Sequence, residues 1–212
     1  MLKTCYIFGA AEGLPNKLDI QKDDLVIAAD AGYSLLKRLD ISPDIVLGDF
    51  DSLKSIPECK EIIKHPVKKD DTDTLLAVKT AFSRGFSRFV LYGCIGGKRI
   101  DHTLANIQTL CFIAENGGTG FLCAEDYTVT AIKNSSVRFS EKAKGYVSVF
   151  SAVTKARGVC LEKLLYPLQN ADISYSFPLG VSNEFTGKEA LISVSDGTLI
   201  VVWQGGIDAL IL

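Results

Sequence analysis

Histidine, paired cysteines and surplus positive charge are all scarce in this sequence. The 212 residues include only two histidines, His65 and His102, and six cysteines at 5, 59, 94, 111, 123 and 160 without a C-x-x-C pair. This excludes the common zinc frameworks and leaves few bases for a Ser-His or Cys-His nucleophile. Against 25 acidic residues stand 23 Lys and Arg, a formal net charge of −2. No basic excess is left to neutralise a nucleic-acid backbone, so the expected partners are small molecules. No apolar run approaches the roughly 18 residues of a membrane helix. The short apolar stretch Cys5–Ala11 runs into Glu12, Gly13 and Pro15 with no cleavage-type site, so no secretory leader is expected. The reading is a cytoplasmic protein with no membrane partner and with reduced, mostly buried cysteines. With 47% hydrophobic and 23% charged residues, the chain can bury one large core or two modest ones.

Two patterns divide what is present. Up to about Asp126, short β-rich runs alternate with amphipathic stretches. Strands are predicted at Cys5–Phe8, Leu25–Ala29, Ile45–Leu47, Glu61–Lys64, Phe89–Tyr92 and Phe121–Cys123. Helices are predicted at Gly32–Leu39, Thr72–Arg84 and Asp101–Glu115, the last burying Leu104, Ile107, Cys111 and Ala114 as one stripe. Helix-length crossovers between strands imply a layered α/β unit with a mostly parallel sheet. From Tyr127 the period becomes two, with strands at Thr128–Lys133, Val137–Phe139, Tyr146–Phe150, Gly158–Leu161, Leu191–Val194 and Thr198–Trp203. Turn pairs such as Lys144-Gly145 and Asp196-Gly197 separate several of them, so residues 127–212 read as a small β-sandwich or barrel. The expected division is therefore 1–126 and 127–212.

Aspartate is unevenly spread: 13 of the 16 fall in residues 1–126. Asp30 follows one strand, Asp49 and Asp51 follow the next in Gly48-Asp49-Phe50-Asp51-Ser52, and Asp70, Asp71 and Asp73 precede or open a helix. Asp101 opens another. In an open parallel sheet all strand C-termini share one edge, where such folds place their ligand crevice. Asp71 or Asp101 could each be an ordinary helix cap, and the Asp49–Asp51 stretch an ordinary turn. Together they form a like-charged cluster that a cation would offset, and Mg²⁺, which prefers hard oxygen ligands and substrate phosphates, fits. Lys68 and Lys69 precede the second cluster, and Gly96-Gly97-Lys98-Arg99 precedes Asp101, offering cations and close backbone approach to a phosphate. Neither Gly93–Arg99 nor Gly9–Gly13 meets the P-loop or dinucleotide pattern. His65, before Pro66, reads as structural. His102, in a helix's first turn, also suits a phosphate contact.

Five segments then fall into an order. Ala29-Asp30-Ala31-Gly32, Gly48-Asp49-Phe50-Asp51-Ser52, Lys69-Asp70-Asp71-Thr72-Asp73, Gly96-Gly97-Lys98-Arg99-Ile100-Asp101-His102 and Gly180-Val181-Ser182-Asn183-Glu184-Phe185 resemble the thiamine pyrophosphokinases. Tyr166-Pro167-Leu168 is similar to the segment that precedes Ser-Asn in bacterial members, while Lys98 is an extra residue in the glycine loop. The resemblance implies an N-terminal ATP- and Mg²⁺-binding α/β domain and a C-terminal thiamine-binding β domain. It also implies a homodimer whose active sites are shared between subunits, and the reaction ATP + thiamine → AMP + thiamine diphosphate. Asp49, Asp51, Asp70 and Asp73 would hold Mg²⁺, and Asp73 or Asp30 would orient the thiamine hydroxyl. An aspartate of ordinary pKa, roughly 4, is ionised at pH 7 and can accept that proton. Lys69, Arg99 and His102 would contact phosphate with Asp101 beside them, and Ser182 and Asn183 would meet the aminopyrimidine. Trp203 and Tyr166 are the aromatics to weigh as a platform for the thiamine cation, against the commoner role of core residues. A diphosphokinase for a pterin-like heterocycle, a non-catalytic thiamine or nucleotide sensor, and a phosphatase are the competing expectations.

Overall fold

In the computed structural model, residues 3–11, 13–14, 18–48, 59–64 and 70–211 are described. The chain is mixed α/β and divides into two units, Met1–Thr109 with Leu122–Ala124, and Leu110–Phe121 with Glu125–Leu212. Among the described residues no helix is long and apolar enough to cross a membrane.

In the first unit, the apolar runs become β1 (Thr4–Phe8), β2 (Leu25–Ala29), β3 (Ile45–Gly48), β4 (Glu61–Lys64) and β5 (Arg88–Tyr92). They pair in parallel in the order β5-β1-β2-β3-β4. β1, β2 and β3 are buried at every position, as a sheet covered on both faces requires, whereas the edge strand β4 is mostly exposed. Helices α1 (Gly32–Arg38) and α2 (Asp73–Ser83) pack on these strands. Two aspartates serve the start of the sheet: Asp24 Oδ1 accepts from Thr4 N at 2.8 Å and Asp44 Oδ2 from Val26 N at 2.9 Å.

α3 (Ile100–Glu115) runs on from the first unit into the second. Its buried face is Asn106, Thr109, Leu110 and Ile113, not the expected stripe: Leu104 is 58% exposed, and Ile107, Cys111 and Ala114 are only half-buried. The helix carries apolar residues on two adjacent faces, so periodicity alone does not choose between them. The polar groups on the face that won are satisfied, Asn106 Nδ2 donating to Cys94 O at 2.6 Å and Thr109 Oγ1 to Ala105 O at 3.0 Å. Burial of Asn106 therefore carries little penalty.

β6 (Thr119–Cys123) precedes the second unit's own strands: β7 (Tyr127–Lys133), β8 (Ser136–Phe139), β9 (Tyr146–Ser151), β10 (Lys155–Glu162), β11 (Leu168–Ser174), β12 (Gly180–Glu184), β13 (Ala190–Ser193) and β14 (Thr198–Gln204). β14 lies between β7 and β9 with β12 outside β9, all antiparallel. A second antiparallel sheet has the order β11-β10-β13-β8. Trp203 on β14, 1% exposed, meets Phe139 of the second sheet edge-on at 5.3 Å and Phe121 at 6.5 Å. This aromatic cluster is the centre of the unit's core.

Candidate active site

Because β1 to β5 are parallel, their C-terminal ends share one edge, and the residues that follow them define the site. Asp30, one residue past β2, has φ 48°, and its N–H donates to Leu47 O at 2.7 Å. Asp tolerates this left-handed conformation better than most residues. Gly48 ends β3 against it: a Cβ there would lie 3.2 Å from Asp30 Cα, so a side chain at 48 would press on the Asp30 backbone. Asp49 and Asp51 follow in sequence but, like Lys69 and the neighbouring His65 and Lys68, lie outside the described residues.

The segment entering α2 separates its acidic residues by role. Thr72 is the N-cap, its Oγ1 accepting from Leu75 N at 3.2 Å. Asp71 is not the cap: it pairs with Lys79 at 2.7 Å. Asp73 occupies the first turn, where the helix dipole favours a carboxylate, and is half-buried, while Asp70 is exposed. The described donors Asp30, Asp70 and Asp73 are all hard carboxylates, the chemistry Mg²⁺ selects, and the sequence adds two more directly after Gly48. Among the described residues alone, no group of three or more His, Cys, Asp or Glu is assembled closely enough to hold a metal.

After β5 the chain makes a glycine loop in which Gly96 and Gly97 have φ of 84° and 76°, a conformation that costs other residues strain. The loop is tied to α3 by Gly96 N donating to Thr103 Oγ1 at 3.0 Å and by Asn106 to Cys94 O. Cys94 is 4% exposed, and burial pushes its thiol up to about 12, so it is a neutral packing residue. Arg99 and Asp101 form an exposed ion pair at 2.6 Å. His102, also exposed, donates its backbone N–H to Arg99 O at 3.1 Å. Asp30, Asp70, Asp73, Arg99, Asp101 and His102 thus all belong to segments that leave or enter this edge.

In the second unit, Ser182 and Asn183 sit in strand β12. Ser182 is exposed, with φ 58°, at a register shift between Gly180 and Asn183, and its N–H donates to Ser148 Oγ at 3.0 Å. Asn183 is 3% exposed. Its Oδ1 accepts from Tyr166 N and Glu184 N, both at 2.9 Å, and its Nδ2 donates to Tyr166 O at 2.6 Å. The two aromatics part company: Trp203 is core, donating Nε1–H to Gly206 O at 3.0 Å, and Tyr166 is 63% exposed. Sequence reasoning passed over Ser148, Thr103 and Asn106, which anchor loops, and the exposed Tyr175, Phe177 and Leu179 between β11 and β12. An asparagine on an otherwise apolar helix face and aromatics in a turn-rich segment are the signals that could have found them.

With this geometry in place, two family models match the chain: "Thiamin pyrophosphokinase, catalytic domain" over residues 17–119 and "Thiamin pyrophosphokinase, vitamin B1 binding domain" over 134–199. The thiamine pyrophosphokinase of Bacillus subtilis is 27% identical over 186 residues, 84% of this chain and 86% of that protein. Its fold is shared by the B. subtilis thiamine pyrophosphokinase crystal structure, with TM-score 0.84, 24% identity, and coverage of 97% of this chain and all (100%) of that one. The thiamin pyrophosphokinase family protein of Enterococcus faecalis has TM-score 0.81 at 27% identity, again over 97% and 100% of the two chains. Matched across both of its units, the chain belongs to the thiamine pyrophosphokinase family.

Proposed function

We propose that the protein transfers the diphosphoryl group of ATP to the hydroxyl of thiamine, releasing AMP and thiamine diphosphate, as a cytoplasmic homodimer. The observation that supports this reading is that Asp30, Asp70, Asp73 and the Gly96–Arg99 loop lie on segments that follow strands of one parallel sheet, within a catalytic-domain match. Residues 1–126 are the ATP- and Mg²⁺-binding part, and 127–212, read as a β-sandwich, the thiamine-binding part.

Asp49, Asp51, Asp70 and Asp73 would hold Mg²⁺, which when bound neutralises phosphate charge. Phosphoryl transfer leaves the protein chiefly the tasks of positioning and electrostatic stabilisation. Lys69, Arg99 and His102 bind the phosphates, with Asp101 orienting the Arg99 guanidinium before ATP arrives. Asp73 or Asp30 accepts the thiamine hydroxyl proton as the oxygen attacks the β-phosphorus. The bond from that phosphorus to the α–β bridging oxygen breaks, and AMP leaves with the electron pair. Ser182 and the exposed ring of Tyr166 form the thiamine end, a hydroxyl for the aminopyrimidine and a π-face for the cation. Exposed Ile100 and Leu104 on α3, and Tyr175, Phe177 and Leu179 in the second unit, support a covered interface between copies.

Incubation with ATP, Mg²⁺ and thiamine, followed by mass analysis, tests the reading. AMP and thiamine diphosphate in equal amounts are expected. ADP with thiamine monophosphate, inorganic phosphate released without thiamine, or no turnover would each overturn it.

A further inference from the structure

We infer that Asn183 is a positioning residue: its carboxamide docks the Leu164–Tyr166 segment onto β12 and steadies the bulge that displays Ser182, and it does not itself meet the ligand. The inference rests on the proposed thiamine-binding role of the second unit and refines how that site is built.

Access and valence both argue for this role. Asn183 is 3% exposed, whereas Ser182 beside it and Tyr166 opposite it are exposed. Both lone pairs of Oδ1 are taken, by Tyr166 N–H and Glu184 N–H, and one of the two Nδ2 hydrogens by Tyr166 O. The amide orientation follows from the partners: two N–H donors face Oδ1 and a carbonyl faces Nδ2, so the flipped amide would lose all three bonds.

The contacts form a continuation of β pairing. Leu164 and Phe185 make an isolated antiparallel bridge, and Leu165 N donates to Glu184 O at 3.0 Å. One residue further on, the side chain of Asn183 takes over, offering Tyr166 an acceptor and a donor as a peptide group would. Pro167 holds Tyr166 to extended backbone, so both of its polar groups must find partners outside their own segment. On the other side of the strand, Asn183 is in register with Val147 of β9. The same residue therefore ties Tyr166 to a paired strand and ends the irregular step in which Ser182 takes φ 58°. Ser148 Oγ, accepting from Ser182 N–H, is the second support of that step.

The test combines a structural and a kinetic readout on the full chain. In Asn183→Ala, hydrogen exchange of the Tyr166 amide in ligand-free protein should accelerate at least about tenfold, and KM for thiamine should rise about tenfold with KM for ATP within about twofold. Asn183→Ser, which keeps one short polar group in the pocket without adding a buried charge, should move both readouts in the same direction by no more than alanine does, and it keeps the test open if the alanine variant folds poorly. In a background already carrying Tyr166→Ala and Ser182→Ala, Asn183→Ala should add less than about a further twofold, because the groups it positions are gone. An unchanged thiamine KM despite a deprotected Tyr166 amide would overturn the inference. So would a full tenfold loss in the doubly substituted background, which would make Asn183 a direct contact. Wild-type protein that makes no thiamine diphosphate would instead overturn the proposed function.

Discussion

Arg99 holds Asp101, two residues along the chain, with both sides of its guanidinium, Nε at 2.9 Å from Oδ1 and Nη2 at 2.6 Å from Oδ2. These hydrogen bonds lower the Asp101 carboxyl to about 2. With a folded pKa below the ordinary value of roughly 4, the pair's contribution is present above pH 4 and is lost as pH falls from about 4 to about 2. An NMR titration of the Asp101 carboxyl should find its midpoint near the lower value, and a midpoint near 4 would show that the pair does not persist in solution. Both side chains are exposed, so Asp101→Asn should leave the melting temperature within about 2 °C while raising KM for ATP several-fold through a disoriented Arg99. An unchanged ATP KM would remove Asp101 from the phosphate site.

The metal reading predicts that Asp49→Asn or Asp51→Asn lowers turnover at least about tenfold, most strongly at limiting Mg²⁺, since each substitution removes a hard ligand. Circular dichroism should show an intact fold, and chelation should abolish wild-type activity until Mg²⁺ is restored. Wild-type rates in both variants at limiting Mg²⁺ would sink the ligand assignment.

Shared active sites predict complementation. Asp51→Asn chains mixed with chains altered at Ser182 and Asn183, assayed at a thiamine concentration far below the raised KM so that each is nearly silent alone, should regain up to about a quarter of wild-type activity after subunit exchange: half the dimers are mixed, and each has one intact site of two. Mixed dimers that form and stay inactive would place each site within a single chain.

Trp203, the only tryptophan, reports the core and not the ligand. Its emission should be blue-shifted, resistant to iodide and unmoved by thiamine. Trp203→Ala should cost about 3–5 kcal/mol in urea unfolding, because it empties a site packed against Phe121 and Phe139. Thiamine-dependent quenching of Trp203 in the wild-type protein would contradict the core assignment.

Continuous apolar runs made much of the first unit legible. Cys5–Phe8, Leu25–Ala29 and Phe89–Tyr92 are apolar throughout, which marked them as strands, and the helix-length stretches between strands implied that the sheet is mostly parallel. The strand-to-helix order then placed Asp30, Asp73 and Asp101 near one edge, because parallel strands all end on the same side. Thr72–Arg84 was readable almost to its caps, since the capping hydroxyl and the apolar face are both local features. β11 and β12 were not readable. β12 has a partner on one side only and buries Gly180 and Asn183, three residues apart, while β11 is mostly exposed, so neither shows the alternation that signals a half-buried strand. What the sequence determined by itself was the set of strongly buried elements and the kinds of chemistry carried at their ends. The tertiary structure decided which of two apolar faces of α3 turned inward, which aspartates capped strands, as Asp24 and Asp44 do, and that the Asn183 amide is bound to Tyr166 and Glu184. Each of these depends on a partner distant in sequence, and a hydrogen bond or a buried face has no meaning until that partner arrives.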